Sequence, residues 1–209
     1  MKVLLVNGSP KTQGCTYTAL SEIRKELEAA NVETELIQVG VNPIRGCTAC
    51  GGCSRNDAGK CVFPDGPVNE LIEKAKQADG FIFGSPVHYA AASGQLTSLL
   101  DRAFYAGKSV FRYKPGAAIV SCRRGGATAA FEQLNKYFTI SNMPVVSSQY
   151  WNMVHGNTPE EVQQDLEGMQ TMRLLGKNMA WLLHSLQAGK AAGIELPEQE
   201  PREITNFIR

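Results

Sequence analysis

Lys2-Val3-Leu4-Leu5-Val6-Asn7-Gly8-Ser9-Pro10-Lys11-Thr12-Gln13-Gly14-Cys15-Thr16-Tyr17 carries a short apolar run into a turn of glycines and hydroxyls, after which Leu20, Ile23 and Leu27 recur at helical spacing. Strand, turn and amphipathic helix in that order make a βα unit. The pattern repeats along the chain. Apolar runs at Val32 to Val39, Gly80 to Gly84, Gly116 to Ser121 and Met143 to Tyr150 predict four more strands. Phe81-Ile82-Phe83 and Ala117-Ala118-Ile119-Val120 are apolar on both faces, as strands buried inside a parallel sheet are.

Between the strands, one-sided apolar stripes predict helices around Val68, Leu71, Ile72 and Ala75, around Leu96, Leu99, Leu100 and Ala103, and around Ala127, Ala130, Phe131, Leu134 and Phe138. The first of these is expected to be capped by Asp65, with Pro67 near its first turn. A last helix is expected to open at Thr158-Pro159-Glu160-Glu161 and run through Val162, Leu166 and Met169 toward Leu186, bent at Gly168 and Gly176. Right-handed βαβ connections then give an α/β three-layer sandwich, a five-stranded parallel sheet in the order 2-1-3-4-5 with helices on both faces. No internal repeat or low-complexity linker interrupts the pattern. A single domain over residues 1–189 and a tail over 190–209 are expected.

The composition agrees with an ordinary globular domain: 209 residues, 43% hydrophobic and 20% charged. Roughly 70% of the unfolded chain's surface can be buried at this size, so no disulfide or metal is needed merely to hold the fold. With 21 Lys+Arg against 20 Asp+Glu and no long run of one sign, nucleic-acid and membrane-surface partners are not expected. The opening apolar run is too short for a signal peptide, and no run approaches the roughly 18 residues that span a bilayer. A cytoplasmic setting is expected, where six cysteines favour metal or redox chemistry over a disulfide scaffold.

In a doubly wound sheet, ligands bind outside the carboxyl ends of the strands at the switch point beside strand 1. That rule selects three loops. Gly8 to Tyr17 has the make-up of a phosphate cradle, with backbone N–H groups at a helix start and Ser9 and Thr16 as hydroxyl donors. It is neither a Walker A loop nor a G-x-G-x-x-G turn, which weighs against ATP and a classical dinucleotide site. The alternative is a plain strand-to-helix turn capped by Ser9. Gly84 to Gly94 sets His88 and Tyr89 among small residues, where a planar ring can lie or the pair can simply cap the sheet edge. Ser121-Cys122-Arg123-Arg124-Gly125-Gly126 puts two guanidinium groups at the same edge, either solvated or placed to stabilise negative charge.

The combination of Gly8-Ser9-Pro10-Lys11, Gly84-Ser85-Pro86-Val87-His88-Tyr89 with Ser93-Gly94-Gln95-Leu96 and Asp101-Arg102 behind it, and Gly125-Gly126 resembles the NADPH-dependent FMN reductase and iron-sulfur flavoprotein group of the flavodoxin-like superfamily. The resemblance covers residues 1 to about 150. It implies a non-covalent FMN with its phosphate on Ser9, Lys11, Gly14, Cys15, Thr16 and Tyr17. Pro86, Val87, His88, Tyr89 and Ala90 would then line the ribityl chain and ring. Ser121, Arg123, Arg124, Gly125 and Gly126 would close over the ring. It also implies a homodimer or homotetramer.

Cys47-x2-Cys50-x2-Cys53-x7-Cys61 is the most informative short pattern. Four thiolates so spaced can hold a [4Fe-4S] cluster, with Gly46, Gly51 and Gly52 relieving backbone strain. The spacing, and its place after strand 2, are similar to the cysteine motif of the iron-sulfur flavoproteins. The segment over 46–61 is expected to leave the same sheet edge as the flavin loops. A structural zinc and unligated thiols are the alternatives. Cys15 and Cys122 stand apart and read as small buried residues. His155 reads as a surface-loop histidine and His184 as core or helix interface. Tyr105, Lys108, Arg112 and Tyr113 read as an interface or a solvated face.

The functional expectation is an FMN-dependent oxidoreductase that takes a hydride from NADPH or NADH and passes electrons to a small-molecule or protein acceptor. No catalytic triad or carboxylate pair is visible, and Arg123, Arg124 and His88 are the candidate side chains beside the ring. An iron-sulfur electron carrier fed by ferredoxin and a non-catalytic FMN sensor are the rival readings.

Overall fold

Val3, Leu4, Leu5 and Val6 are completely buried. In the computed structural model, which describes residues 1–55, 59–201, 203–205 and 207, they form the strand from which the sheet is built. Positions 56–58 of the cysteine segment and 202, 206, 208 and 209 of the tail lie outside the described residues. β1 (Lys2–Asn7) pairs in parallel with β2 (Glu33–Gln38) on one side and β3 (Gly80–His88) on the other. β4 (Ala91–Ala92) is a two-residue antiparallel partner folded back on the end of β3. β5 (Gly116–Cys122) pairs with β3, and β6 (Met153–His155) pairs with β5, both in parallel. The order β2-β1-β3-β5-β6 is the expected 2-1-3-4-5 path with one short strand added off it.

The helices among the described residues are α1 (Cys15–Ala29), α2 (Gly52–Arg55), α3 (Val68–Gln77), α4 (Gly94–Ala106), α5 (Lys108–Phe111), α6 (Ala127–Thr139), α7 (Pro159–Gln164) and α8 (Leu166–Ala191). None is long and apolar enough to cross a membrane. Strand side chains alternate between the faces of the sheet. Leu4, Val6, Phe81, Phe83, Ala118 and Val120 meet α3, α4, α5 and α6 on one face. Val3, Leu5, Ile82, Ala117 and Ile119 meet α1 and α8 on the other. The first layer is aromatic at its centre: Phe81 lies 5.0 Å from Phe111, Phe83 5.3 Å from Phe138 and Phe104 4.3 Å from Phe111 between ring centroids.

Three local expectations are corrected: the last strand, the cap of α3 and the continuity of the last helix. Met143 to Tyr150 is not the last strand. Its start touches the sheet, with Gly116 N–H donating to Pro144 O and Val146 N–H to Gly116 O, each at 2.9 Å. The chain then leaves the ladder because the Ser148 hydroxyl donates to Tyr150 O at 2.8 Å and lies 2.7 Å from Asn152 Oδ1, local bonds that compete with strand pairing. It rejoins only at Met153. Asp65 does not cap α3, whose N-cap is Pro67 without a side-chain bond; the carboxylate is taken by Arg102 instead.

The long C-terminal helix is interrupted at Asp165, which accepts from Gly168 N–H at 3.0 Å and caps α8, while Thr158 caps α7. Gly168 therefore makes room for its own cap: a Cβ there would lie 2.3 Å from Asp165 Oδ2. Gly176 is a crossing point for α1, where a Cβ would fall 2.9 Å from Ile23 O and 2.8 Å from Glu26 Cβ.

This last contact gives a paired prediction. Gly176→Val should lower stability by about 1–3 kcal/mol through overpacking against the α1 backbone. Gly189→Ala on the same helix, where the nearest atom is Ile194 Cδ1 at 3.5 Å, should be neutral or raise it by up to about 1 kcal/mol. Urea unfolding of the two variants measures both.

Candidate functional site

Asn7, His88 and Cys122 end β1, β3 and β5 at one edge of the sheet, and the loops that follow are joined to one another. Gly8 N–H donates to Gly84 O at 2.8 Å, and the approach is so close that a Cβ on Gly8 would sit 2.8 Å from that oxygen and from Leu96. The hydroxyls of Thr16 and Ser121, both buried, are 2.8 Å apart and join the first loop to the third. Gly126, at φ +89°, has its Cβ position 2.7 Å from Ala90 Cα, which closes the third loop against the second.

The first loop is shaped from below by residues given no role in the sequence reading. Buried Asn7 donates from Nδ2 to Gln38 Oε1 at 2.7 Å and to Lys11 O at 3.3 Å, while its Oδ1 accepts from Ser9 N–H at 3.1 Å. Gln38 donates to Ser9 O at 2.6 Å. Ser93 Oγ donates to Gly8 O at 2.7 Å and accepts from Leu96 N–H at 3.3 Å, capping α4, and Ser93 N–H donates to Ser85 Oγ at 2.9 Å. Asn7 and Gln38 carry no motif of their own, and Ser85 and Ser93 stand in the second loop's motif with no role read from it. Only the register that sets Asn7 opposite both Gln38 and Gly84 makes them a set.

Above this frame α1 starts open. Its N-cap, Gly14, is extended and contributes no side-chain bond, and no acidic residue occupies the first turn. The leading N–H groups and the positive end of the helix dipole are therefore available to an anion. Ser9 is buried, and its Oγ accepts from Lys11 N–H at 3.1 Å, which leaves its O–H free to donate. In the Thr16–Ser121 pair one hydroxyl donates to the other and the second keeps its hydrogen. Lys11 is exposed and Tyr17 half-buried. Cys15 Sγ lies 3.7 Å from Gly156 O, and burial pushes its thiol up, as it does that of buried Cys122.

In the second loop Pro86 and Val87 are half-buried, and His88, Tyr89 and Ala90 are exposed. Tyr89 and Ala90 have φ of 50° and 61°, an uncommon consecutive left-handed pair for residues with a Cβ, and the Tyr89 side chain stands fully in solvent. In the third, Ser121 is buried while Arg123, Arg124 and Gly125 are exposed. His155 is exposed in β6, its N–H donating to Asp165 Oδ2 at 2.7 Å, and exposed His184 has Nε2 3.0 Å from Ala30 O at the end of α1. Tyr105, Lys108 and Arg112 line a groove of 820 Å³ at the far end of α4, with Tyr137, whose hydroxyl donates to Asp101 at 2.6 Å. Burial, then Asp101, raises that phenol far above its usual range.

The cysteine segment begins at the same edge and follows α4 downward. Gln95 Nε2 donates to Val41 O and Asn42 O at 3.2 and 3.3 Å, and Arg102, about 10 Å further down the helix, meets the segment's far end. Cys47 and Cys50 are exposed, Cys53 and Cys61 half-buried. Gly51 N-terminal to α2 has φ +66°, and Gly52 leaves no space for a Cβ beside Val62. A bond from Gly52 N–H to Cys50, with Thr48 and Arg55 adding to it, lowers the Cys50 thiol. Among the described residues no three His, Cys, Asp or Glu side chains are gathered closely enough to hold a metal. The donor set itself, four thiols on one segment, has the chemistry of a cluster or zinc site.

A doubly wound parallel sheet with three joined loops and an uncapped helix start at its carboxyl edge defines a flavodoxin-like fold, and in such folds ligands bind at that edge. The chain belongs to the NADPH-dependent FMN reductase family, whose model matches residues 1–158. It is similar to an iron-sulfur flavoprotein of Methanocaldococcus jannaschii, 33% identical over 189 residues, which covers 86% of this chain and 96% of that one. An iron-sulfur flavoprotein of Methanosarcina thermophila is 30% identical over 197 residues, covering 91% and 99% of the two chains. The fold is similar to a solved flavodoxin from the domain Archaea, with a TM-score of 0.58, 18% identity and coverage of 88% and 99%. The chain is thus a flavoprotein oxidoreductase of that family, with FMN as its cofactor.

The loop contacts predict a contrast between neighbours. Gly126→Ala forces a Cβ onto Ala90 at a left-handed φ and should destabilise the chain by about 1–3 kcal/mol with a matching loss of bound FMN. Gly125→Ala, with nothing within 4 Å, should leave stability unchanged. Thermal melts and flavin fluorescence of the purified variants distinguish the two.

Proposed function

We propose that residues 1–189 form one FMN-binding domain, followed by a tail at 190–209, that takes a hydride from NADPH or NADH and passes the electrons to a small-molecule or protein acceptor. The observation that carries the reading is the uncapped N-terminus of α1 enclosed by three joined loops. Bound FMN supplies the hydride and electron chemistry. The leading N–H groups of α1, with the hydroxyls of Ser9 and of the Thr16–Ser121 pair, bind the phosphate, and Lys11 adds positive charge at the rim. Gly14, Cys15 and Tyr17 form the rest of that turn. Pro86 to Ala90 and Ser121 to Gly126 hold the ring between them, and the guanidinium groups of Arg123 and Arg124 favour added negative charge at this edge. His88 and Tyr89, exposed on the same rim, shape the face that a nicotinamide approaches. A homodimer or homotetramer completes the reading, tested by light scattering.

Ser9→Ala combined with Thr16→Ala removes two hydroxyls from a dianionic ligand. FMN affinity should fall by about 100-fold or more, since hydrogen bonds to charged groups contribute about 1.5–3 kcal/mol each. Fluorescence titration of apoprotein measures this, and an unchanged affinity overturns the phosphate assignment. Anaerobic addition of NADPH and of NADH to the flavin-loaded chain should bleach the flavin absorbance with at least one of them.

A second reading is favoured by the cysteine spacing together with the two relatives named iron-sulfur flavoproteins. In it, Cys47, Cys50, Cys53 and Cys61 hold a [4Fe-4S] cluster and a ferredoxin-like protein supplies the electrons. Anaerobic purification with iron and acid-labile sulfide assays separates the two. About four of each per chain, the stoichiometry of a cubane on four cysteines, supports the cluster. Flavin without iron or sulfide leaves the nicotinamide-dependent reductase alone.

A further inference from the structure

Arg102 has the largest fully buried side chain among the described residues, 1% exposed, and sits on α4 among Leu96, Leu99, Leu100 and Ala103. Burying a cation there is costly unless every donor is used. Each of its five N–H groups has an acceptor. Nε donates to Cys61 Sγ at 3.3 Å; Nη1 to Arg45 O and Asp65 Oδ2, both at 3.2 Å; Nη2 to Phe63 O at 2.8 Å and Asp65 Oδ1 at 3.1 Å. These acceptors lie at the two ends of one stretch of chain: Arg45 stands two residues before Cys47, and Cys61, Phe63 and Asp65 follow the remaining cysteines. The guanidinium is thus a staple across the whole cysteine segment.

Cys61 is held a second time. Its N–H donates to Asn69 Oδ1 at 2.8 Å, and its carbonyl accepts from Asn69 Nδ2 at 3.0 Å, so the first turn of α3 fixes its backbone while α4 supplies a donor to its sulfur. Cys47 and Cys50, by contrast, are exposed. Aiming a guanidinium N–H at sulfur is a weak contact for a neutral thiol and a strong one for sulfur that carries negative charge.

We propose that Arg102 is the positioning residue of the cysteine segment: it ties both ends to α4, makes Cys61 the anchored sulfur from which the other three are placed, and through its Nε–H stabilises negative charge on that sulfur. The staple stands on the geometry alone; the electronic consequence rests on the cluster reading. With a cluster bound, reduction adds negative charge beside a buried cation that solvent screens little, so Arg102 raises the reduction potential of the cluster. Lysine cannot replace it. An ammonium has three donors and no planar fork, and cannot reach both ends of the segment and the sulfur together.

The test uses the full chain with Arg102→Lys and Arg102→Gln, each loaded with FMN. Hydrogen exchange of the amides in 45–65 should quicken about tenfold or more in both variants while that of the β1 and β3 amides stays unchanged. Unchanged exchange in 45–65 overturns the staple. After anaerobic reconstitution with iron and sulfide, the wild-type protein should take up a cluster, Arg102→Lys should keep one with a more negative midpoint potential in a dye-coupled titration, and Arg102→Gln should retain FMN but little iron. A cluster kept by both variants at the wild-type potential overturns the electronic role. Wild-type protein that takes up neither iron nor sulfide overturns the cluster reading and that role with it, and the staple is then decided by the exchange data.

Discussion

Parallel pairing of β1 with both its neighbours is the constraint on which everything else rests. Parallel strands need crossovers, and the crossovers bring every carboxyl end to one edge. Because the central residues of β1 are completely buried, a one-residue slip would expose Leu4 and Val6 to the wrong layer, so the register is firmly set. With it are set the Asn7 contacts to Gln38 and the approach of Gly8 to Gly84.

The site is a polar layer laid over that apolar frame. Asn7, Ser9, Thr16, Ser85, Ser93 and Ser121 are all buried at the edge of the sheet, and each is engaged in a hydrogen bond. Buried polar groups that are mutually satisfied hold a rigid arrangement, and one left without a partner is costly. The arrangement leaves the start of α1 without a side-chain cap and ties the neighbouring loops to one another around it. In the proposed reading these donors are preorganised for the FMN phosphate, since folding alone sets them in place.

The cysteine segment follows a different principle. Its described residues hold little regular structure, only the single turn of α2, and an exposed pair of cysteines, so backbone pairing does not fix their shape. Side chains from the rigid helices do so instead. Gln95 holds its entry, Arg102 its two ends and Asn69 the backbone of Cys61. Asp65 is drawn into the same cluster: burial pushes its carboxyl up, and Arg102, a backbone N–H and Arg45 together hold it below the ordinary range. That is why it does not cap α3.

Particular elements show where sequence was enough. The apolar runs of β1, β3 and β5 and the stripes of α1, α3, α4 and α6 are local patterns, and their periods state which face is buried. With the handedness of βαβ crossovers they yield the sheet order and the three loops at its edge. Val145-Val146 and Val154 are equally apolar, so periodicity does not separate them, and the Ser148 bonds draw the chain between them out of the ladder. Asn7 with Gln38, Thr16 with Ser121, Gly126 with Ala90 and Arg102 with Cys61 are separated by 31, 105, 36 and 41 positions. No period or spacing connects such pairs. The sequence by itself determined the layers, the strand order and the loops that gather at the carboxyl edge of the sheet, because burial of apolar surface is written in local periodicity. Only the tertiary structure decided which polar side chains join those loops and clamp the cysteine segment, because a hydrogen bond depends on distances that exist only once the sheet has brought remote residues together.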